Sequence, residues 1–407
     1  MIADINTDIA AAPSADSLVR RFGARSLTLN LYPTENRMSA NAQALLGSDL
    51  VSRYPGSVGP GFFYGDPADV TDLYTCAKTL AQSYFEVDHA MVQFLSGLHA
   101  MQSLISTLPR PGQHVTVLGT SAGGHYATEQ ICADFGHPTS VVPFDRRELS
   151  IDLNALAGQR DAGRSFYYLD LSVALRIPNL SDFRQAVGTD AVVCFDASHL
   201  LGLLPAVYDL PTLWSDVNLC TASTHKTFPG PQKAMMLTSD PDVADRMGSH
   251  LGFRVSSAHS NSVGALAVTL AELEASKRTY GHAVIANARR LGAELATLGL
   301  PVAGESFGFT DTHQLWVVPE VDDPVEWGRR LERAGVRSTV VGMPGHDRPG
   351  LRIGTQELTR VGMGPSDMPA VANIVRRALA ASESMDTLRR DVHELVSTFP
   401  SVRTTFT

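Results

Sequence analysis

A chain of 407 residues exceeds one ordinary hydrophobic core, so a large and a smaller domain are expected. With 44% hydrophobic and 18% charged residues, it belongs with globular rather than disordered proteins. A net charge of −9 with no offsetting basic stripe argues against a nucleic-acid partner; Arg146-Arg147 and Arg389-Arg390 are short enough to be solvated faces.

The cysteines Cys76, Cys132, Cys194 and Cys220 are scattered, which suggests neither a disulfide framework nor a zinc site, and no metal is expected. Residues Met1 to Ser17 carry Asp4, Asp8 and Asp16 but no basic segment and no long apolar run, unlike a signal peptide. No stretch approaches the ~18 uninterrupted apolar residues of a membrane span. The expectation is a cytoplasmic enzyme without a membrane partner.

In chain order, residues 1–70 read as an arm with a short helical start and the turn-rich text Tyr54-Pro55-Gly56-Ser57-Val58-Gly59-Pro60-Gly61. Residues 71–280 read as a large domain. In it, helical patterns alternate with the apolar runs 90–94, 114–118, 165–169, 191–195 and 234–237. Runs this short, buried on both faces and separated by helices, predict a mostly parallel sheet in an α/β fold. A helical stretch from Gly264 to Leu298 follows, with an expected interruption near Tyr280-Gly281. Residues 281–407 read as a smaller α+β domain, with strands at 314–318, 336–341 and 350–354, a helix at 324–334 and closing helices near 366–398.

Asp196 ends the run 191–195, at the carboxyl end of a predicted buried strand, where open α/β sheets place their ligands. A carboxylate there is costly unless cations or donors meet it; the plainer reading is a helix N-cap. His199 follows three residues on. Next comes Thr221-Ala222-Ser223-Thr224-His225-Lys226-Thr227, closed by Pro229, Gly230 and Pro231. A lysine in a rigid polar turn is poorly explained as a surface charge. An amine meant to form an imine must be desolvated or set near positive charge. A pyridoxal-phosphate (PLP) enzyme needs such a lysine, plus an acid that keeps the pyridine nitrogen protonated. Asp196 and Lys226 offer both roles.

The chain resembles the serine hydroxymethyltransferase family of fold-type-I PLP-dependent enzymes. Thr224-His225-Lys226-Thr227 with Gly230-Pro231 is similar to its lysine motif, and Asp196-Ala197-Ser198-His199 with Leu201-Gly202-Leu203 to its acidic strand end. Val92-Gln93 with Ser96-Gly97 resembles its phosphate loop, and Gly123-Gly124-His125 its G-G-H. Gly350-Leu351-Arg352-Ile353-Gly354-Thr355 with Leu358-Thr359-Arg360 resembles its arginine motif. The matches keep the family order across residues 26–380.

The resemblance implies a seven-stranded-type sheet and roles for individual residues. Ser96 and Gly97 would meet the phosphate at a helix N-terminus, although Ser96 is equally read as an ordinary cap. His125 would stack on the ring, Ser172 and His199 would bond its oxygen, and Asp196 would pair with its nitrogen. Thr224 and His225 flank Lys226, which would form the Schiff base. Arg352 would clamp a substrate α-carboxylate bidentately, with Thr34 assisting. Tyr54 and Tyr64 keep the family's two tyrosines and would serve the partner's site in a homodimer.

Gly56, however, stands where the family has its acid–base glutamate, and glycine cannot move a proton. Gln232-Lys233, Leu98, Ser256-Ser257 and the shortened stretch Val341 to Pro349 also depart from the pattern, on the folate side and at the phosphate rim. The expected activity is aldolase or transaldolase cleavage of a β-hydroxy-α-amino acid (threonine, serine) without folate. An aldehyde is the candidate co-substrate, and Tyr54, Tyr64 or His125 the base. The alternatives are a racemase or aminotransferase, a hydroxymethyltransferase with an unusual substrate, and a non-catalytic PLP-binding protein.

Overall fold

The central sheet forms where the chain is apolar for five residues at a time. Phe166–Asp170, Leu219–Ser223 and Ala234–Thr238 are buried at every position, which a strand covered by helices on both faces requires. The computed structural model describes residue 16 and residues 27–55, 68–159, 165–380 and 383–406.

In chain order the strands of the first part are β1 (Leu29–Asn30), β2 (His89–Met91), β3 (Val115–Val117) and β4 (Thr139–Val141). A small hairpin of β5 (Phe144–Asp145) and β6 (Ser150–Ile151) follows, then β7 (Phe166–Asp170), β8 (Val192–Asp196), β9 (Leu219–Ser223) and β10 (Ala234–Thr238). Seven of these make one sheet in the order β2-β10-β9-β8-β7-β3-β4. The steps from β9 to β4 are all parallel, while β10 runs antiparallel to both β9 and β2. This is the mostly parallel α/β sheet that the apolar runs predict.

Register places Asp170, Asp196 and Thr221 side by side across β7, β8 and β9. Three strand ends therefore deliver polar groups to one spot at the carboxyl edge of the sheet, where a ligand is expected in an open α/β fold.

The smaller unit holds β11 (Gln314–Val317), β12 (Val336–Arg337), β13 (Thr339–Gly342) and β14 (Pro349–Gly354), with β14 central in the antiparallel order β11-β14-β13. β1 pairs in parallel with β12, Leu29 opposite Val336. Leu29 and Leu31 accordingly belong to the small core with Leu291, Leu295, Trp327 and Ile353.

One expectation is corrected. The helical break falls between Leu273 and Lys277, where a 3-10 turn joins helices Ser260–Leu273 and Lys277–Thr297, and not at Tyr280-Gly281. Gly281 lies inside the second helix because that helix approaches Leu203 and Ala206 closely; a Cβ there would come within 2.6 Å of the Ala206 Cβ. The same helix serves both cores, Tyr280 and Val284 packing in the large one and Leu291 and Leu295 in the small one.

Among the described residues no helix is long and apolar enough to cross a membrane, and no group of His, Cys, Asp or Glu could hold a metal ion.

Candidate active site

The ends of β7, β8 and β9 open into a small cavity shared by Gly97, His125, Asp170, Ser172, Asp196, Ser198, His199 and Lys226. A larger chamber of about 1000 Å³ adjoins it and also includes His125, Ser172, His199, Lys226 and Arg352. Residues distant in sequence are thus gathered around Lys226.

Asp196 is buried, and three donors satisfy it. Ser198 N–H donates to Oδ1 at 2.8 Å; the Tyr168 hydroxyl and Thr221 Oγ1 donate to Oδ2 at 2.8 and 3.1 Å. Such a set holds a carboxylate in one orientation. The Tyr168 phenol is itself held far above its ordinary pKa by burial and then by Asp196 and Asp170, so it stays a donor.

Lys226 sits in the turn after β9. Burial lowers its pKa to about 8; Asp196 opposes the shift, and the Arg352 cation adds to it. More of the amine is therefore neutral near pH 7 than in an ordinary lysine, as imine chemistry needs. Its turn is fixed from behind: Asn36 Nδ2 donates to the carbonyls of Lys226 (2.8 Å) and Thr227 (3.1 Å), and the Tyr280 hydroxyl donates to Thr227 O at 2.7 Å. Thr224 closes the turn through Oγ1 to Pro231 O at 2.6 Å. His225 lies beside it with Nδ1 buried and unpartnered, its pKa lowered to about 4 by burial and then by Lys226.

Ser96 caps the helix Gly97–Ile105, its hydroxyl accepting from His99 N–H at 3.1 Å. A Cβ on Gly97 would stand 3.3 Å from Ser198 Oγ and Ser223 Cβ, so glycine keeps the mouth of this helix open. Two buried oxygens near this cradle, Gln93 Oε1 and Ser223 Oγ, have no partner among the described residues.

His199 is buried. The Gln314 amide donates from Nε2 both to Ser172 O (3.1 Å) and to His199 Nδ1 (3.3 Å). The carbonyl contact fixes that amide end as nitrogen, so in the neutral His199 ring Nδ1 accepts and Nε2 carries the proton. Burial, followed by the cations of Lys226 and Arg352, keeps the ring neutral far below its usual range. His313 stacks on it, centroids 5.7 Å apart.

Arg352 on β14 is buried. Its Nη1 donates to Ser172 O at 2.9 Å and its Nε to Thr339 Oγ1 at 3.4 Å. Burial lowers its pKa to about 10, which leaves the guanidinium charged at neutral pH. Thr34 lines the same chamber.

The sequence reading overlooked Tyr32, Tyr168, Asp170, His313 and Gln314. Asp170 is buried and accepts from His125 N–H at 2.9 Å and from the Thr128 hydroxyl, while its Oδ1 has no partner among the described residues. Burial pushes its carboxyl well above the ordinary range. Its signal was available, since it ends an apolar run as Asp196 does. Tyr54 is exposed and lines neither cavity of its own chain. Tyr64 and Gly56 lie outside the described residues.

A family model described as serine hydroxymethyltransferase matches residues 15–375. The chain belongs to this family. Among its relatives, a fluorothreonine transaldolase of Streptantibioticus cattleyicolor is 34% identical over 394 residues, covering 93% of this chain. The chain spans 61% of that protein's length. A serine hydroxymethyltransferase of Archaeoglobus fulgidus is 31% identical over 395 residues, covering 93% of this chain and 89% of that one. The L-threonine transaldolase from Pseudomonas fluorescens, solved in its internal aldimine state, superposes with a TM-score of 0.87 at 26% identity, covering 96% and 92% of the two chains.

The serine hydroxymethyltransferase family uses PLP, and the site fits it. A pyridinium needs an anchored carboxylate, found at Asp196; a phosphate needs an unblocked helix N-terminus, found at Gly97. The imine needs an amine such as that of Lys226.

Proposed function

We propose that the chain is a PLP-dependent transaldolase that cleaves the Cα–Cβ bond of threonine and joins the retained glycine unit to a second aldehyde, without folate. The carrying observation is the union of Lys226, Asp196 and Arg352 around one chamber, in a chain with Gly56 in place of the family's proton-transferring glutamate. The similarity to a fluorothreonine transaldolase and to an L-threonine transaldolase supports the same reading.

When bound, PLP supplies an electron sink that stabilises negative charge at Cα. The protein's own residues do the rest. Lys226 would hold the cofactor covalently and be displaced by the substrate amine. Asp196, fixed by Tyr168, Thr221 and Ser198, would keep the ring nitrogen protonated. Ser96 and Gly97 would hold the phosphate, with Thr224 and His225 shaping the lysine turn beneath it. His199 would donate from Nε2 to the ring oxygen, beside Ser172.

Arg352, steadied by Ser172 and Thr339, retains Nη2 for the substrate α-carboxylate, and Thr34 lies within the same chamber. His125 is the base candidate that lines this chamber in its own subunit. Burial lowers its pKa and keeps the ring neutral, and the Ala127 N–H contact to its Nδ1 is long at 3.3 Å and readily given up. Tyr54 and Tyr64 would act from a partner subunit in a homodimer. With a large unit over 71–280 and a small one over 281–407, the lysine would come from the first and Arg352 from the second.

The test is incubation of purified holoenzyme with threonine in the absence of folate. Acetaldehyde release, and a long-wavelength cofactor band on adding glycine, are expected. A protein that releases no acetaldehyde and instead exchanges serine and glycine only with folate is a hydroxymethyltransferase. Exchange of the α-proton in deuterated water without carbon–carbon cleavage identifies a racemase or aminotransferase.

A further inference from the structure

The chamber of about 1000 Å³ beside Lys226 runs from Lys226, His199 and Arg352 out to Val141, Arg146 and Arg348. The inner end, at Lys226, His199 and Arg352, belongs to the cofactor and the amino acid. Beyond it Val141, Val142, Pro143, Phe144, Val341 and Met343 form an apolar stretch of wall, with Thr120, Ser121 and His346 as polar neighbours.

Two of the chain's exposed large apolar side chains line this outer part, Tyr126 at 78% and Val141 at 52% exposure. Tyr126 stacks on His125, with centroids 4.6 Å apart and planes 29° from parallel, so a run of flat rings extends from the reaction centre towards the mouth. A planar ligand body has a ready surface there.

Charge at the mouth is uneven. Arg146 donates to Asp347 at 2.6 Å and to Gly345 O at 3.3 Å, which neutralises that aspartate. Arg348 lines the same mouth, is exposed, and has no ion pair or hydrogen bond among the described residues. It is a guanidinium fork offered to solvent beside an apolar wall. Such a fork suits a carboxylate or a phosphate.

We propose that the acceptor aldehyde has a flat apolar body that lies along Tyr126 and Val141, and an anionic substituent that meets Arg348. This rests on the transaldolase reading. In the joining step the α-carbon of the glycine unit bonds to the aldehyde carbon. The aldehyde oxygen takes up a proton and becomes the β-hydroxyl, and nothing is oxidised or reduced.

The experiment pairs threonine and holoenzyme with benzaldehyde, 4-formylbenzoate or 4-formylphenyl phosphate, measuring KM for each aldehyde through the new β-hydroxy-α-amino acid. At least one charged aldehyde is expected to have a KM about fivefold below that of benzaldehyde, the size of a single exposed charge contact. The two charged arms show whether carboxylate or phosphate is the better fit. Arg348→Gln should bring the charged-to-neutral ratio to about one. Equal KM values in the wild type, or a ratio that Arg348→Gln leaves unchanged, overturns the proposal.

Direct titration of holoenzyme with 4-(hydroxymethyl)benzoate and benzyl alcohol reads the same preference without turnover. Tighter binding of the charged alcohol, lost in Arg348→Gln, supports the proposal; equal binding overturns it. Absence of acetaldehyde from threonine counts against the reaction instead, so the two failures are distinct.

Discussion

Asp170 and Asp196 face each other across adjacent parallel strands, yet they meet opposite environments. Asp196 accepts from three side-chain and backbone donors, whereas Asp170 has two donors on Oδ2 and, among the described residues, none on Oδ1. Burial first, and the neighbouring Asp196 in part, favours the protonated form of Asp170. Its task is to hold the His125 backbone and Thr128, a positioning role. Asp170→Ala is expected to cost about 1–3 kcal/mol, because two buried donors lose their acceptor. Asp170→Asn keeps that acceptor and should restore most of the stability, as denaturant unfolding of the two variants will show. The cofactor spectrum should shift in the alanine variant and not in the asparagine one.

Lys226 gives a pH prediction. With its pKa lowered to about 8, the reactive neutral amine grows as pH rises and levels off above that value. The rate at which apoprotein regains its cofactor absorbance should rise from pH 6 to about 8 and then flatten. A profile still rising steeply at pH 10 would mean an ordinary solvated lysine. Lys226→Ala should lower turnover by about three orders of magnitude.

Arg352→Lys keeps the charge and loses the fork. On the role proposed for Arg352, loss of one charge-assisted contact to the substrate carboxylate is worth about 1.5–3 kcal/mol, so KM for threonine should rise roughly 10- to 150-fold. A smaller change in kcat would separate binding from chemistry.

The buried histidines set an acid limit on the fold. Burial lowers His225 to about 4 and His313 to about 3, against 6.5 for an unfolded histidine. Between those values the unfolded chain binds more protons at these two sites than the folded one, so both histidines lower stability as pH falls below 6.5, while the raised carboxyl of Asp170 acts in the opposite sense. Urea midpoints at pH 7, 6, 5 and 4 should decline in order. Replacing His313 with Gln should flatten part of that decline.

The parallel sheet was legible from its apolar runs, and Lys226 and Asp196 stood out as candidates from a rigid polar turn and a strand-end charge, whereas Arg352 rested on the resemblance to the family's arginine motif. Asp170 followed the same rule but is recognisable only when its burial and partners are known. Gln314 and His313 carried no local signal. Their role comes from β11 lying across the chain from Ser172 and His199, a contact set by tertiary packing. The helical break was misplaced because a glycine reads as a weak point, whereas Gly281 serves close helix packing. Tyr54 shows another boundary of such reading, since a tyrosine kept in sequence is exposed in its own subunit.

The pairing of β1 with β12 bears on how the protein is made. Leu29 and Leu31 emerge early from the ribosome, but their partners Val336 and Arg337 come only after the whole large unit has been synthesised. The small core therefore cannot close before Val336 has been made, and Leu29 and Leu31 lack their strand partner until then. Such a long-range closure is slow and leaves apolar segments open to misassembly. On the roles proposed above, the lysine turn would form before Arg352 is in place, so cofactor capture would precede substrate binding during biosynthesis.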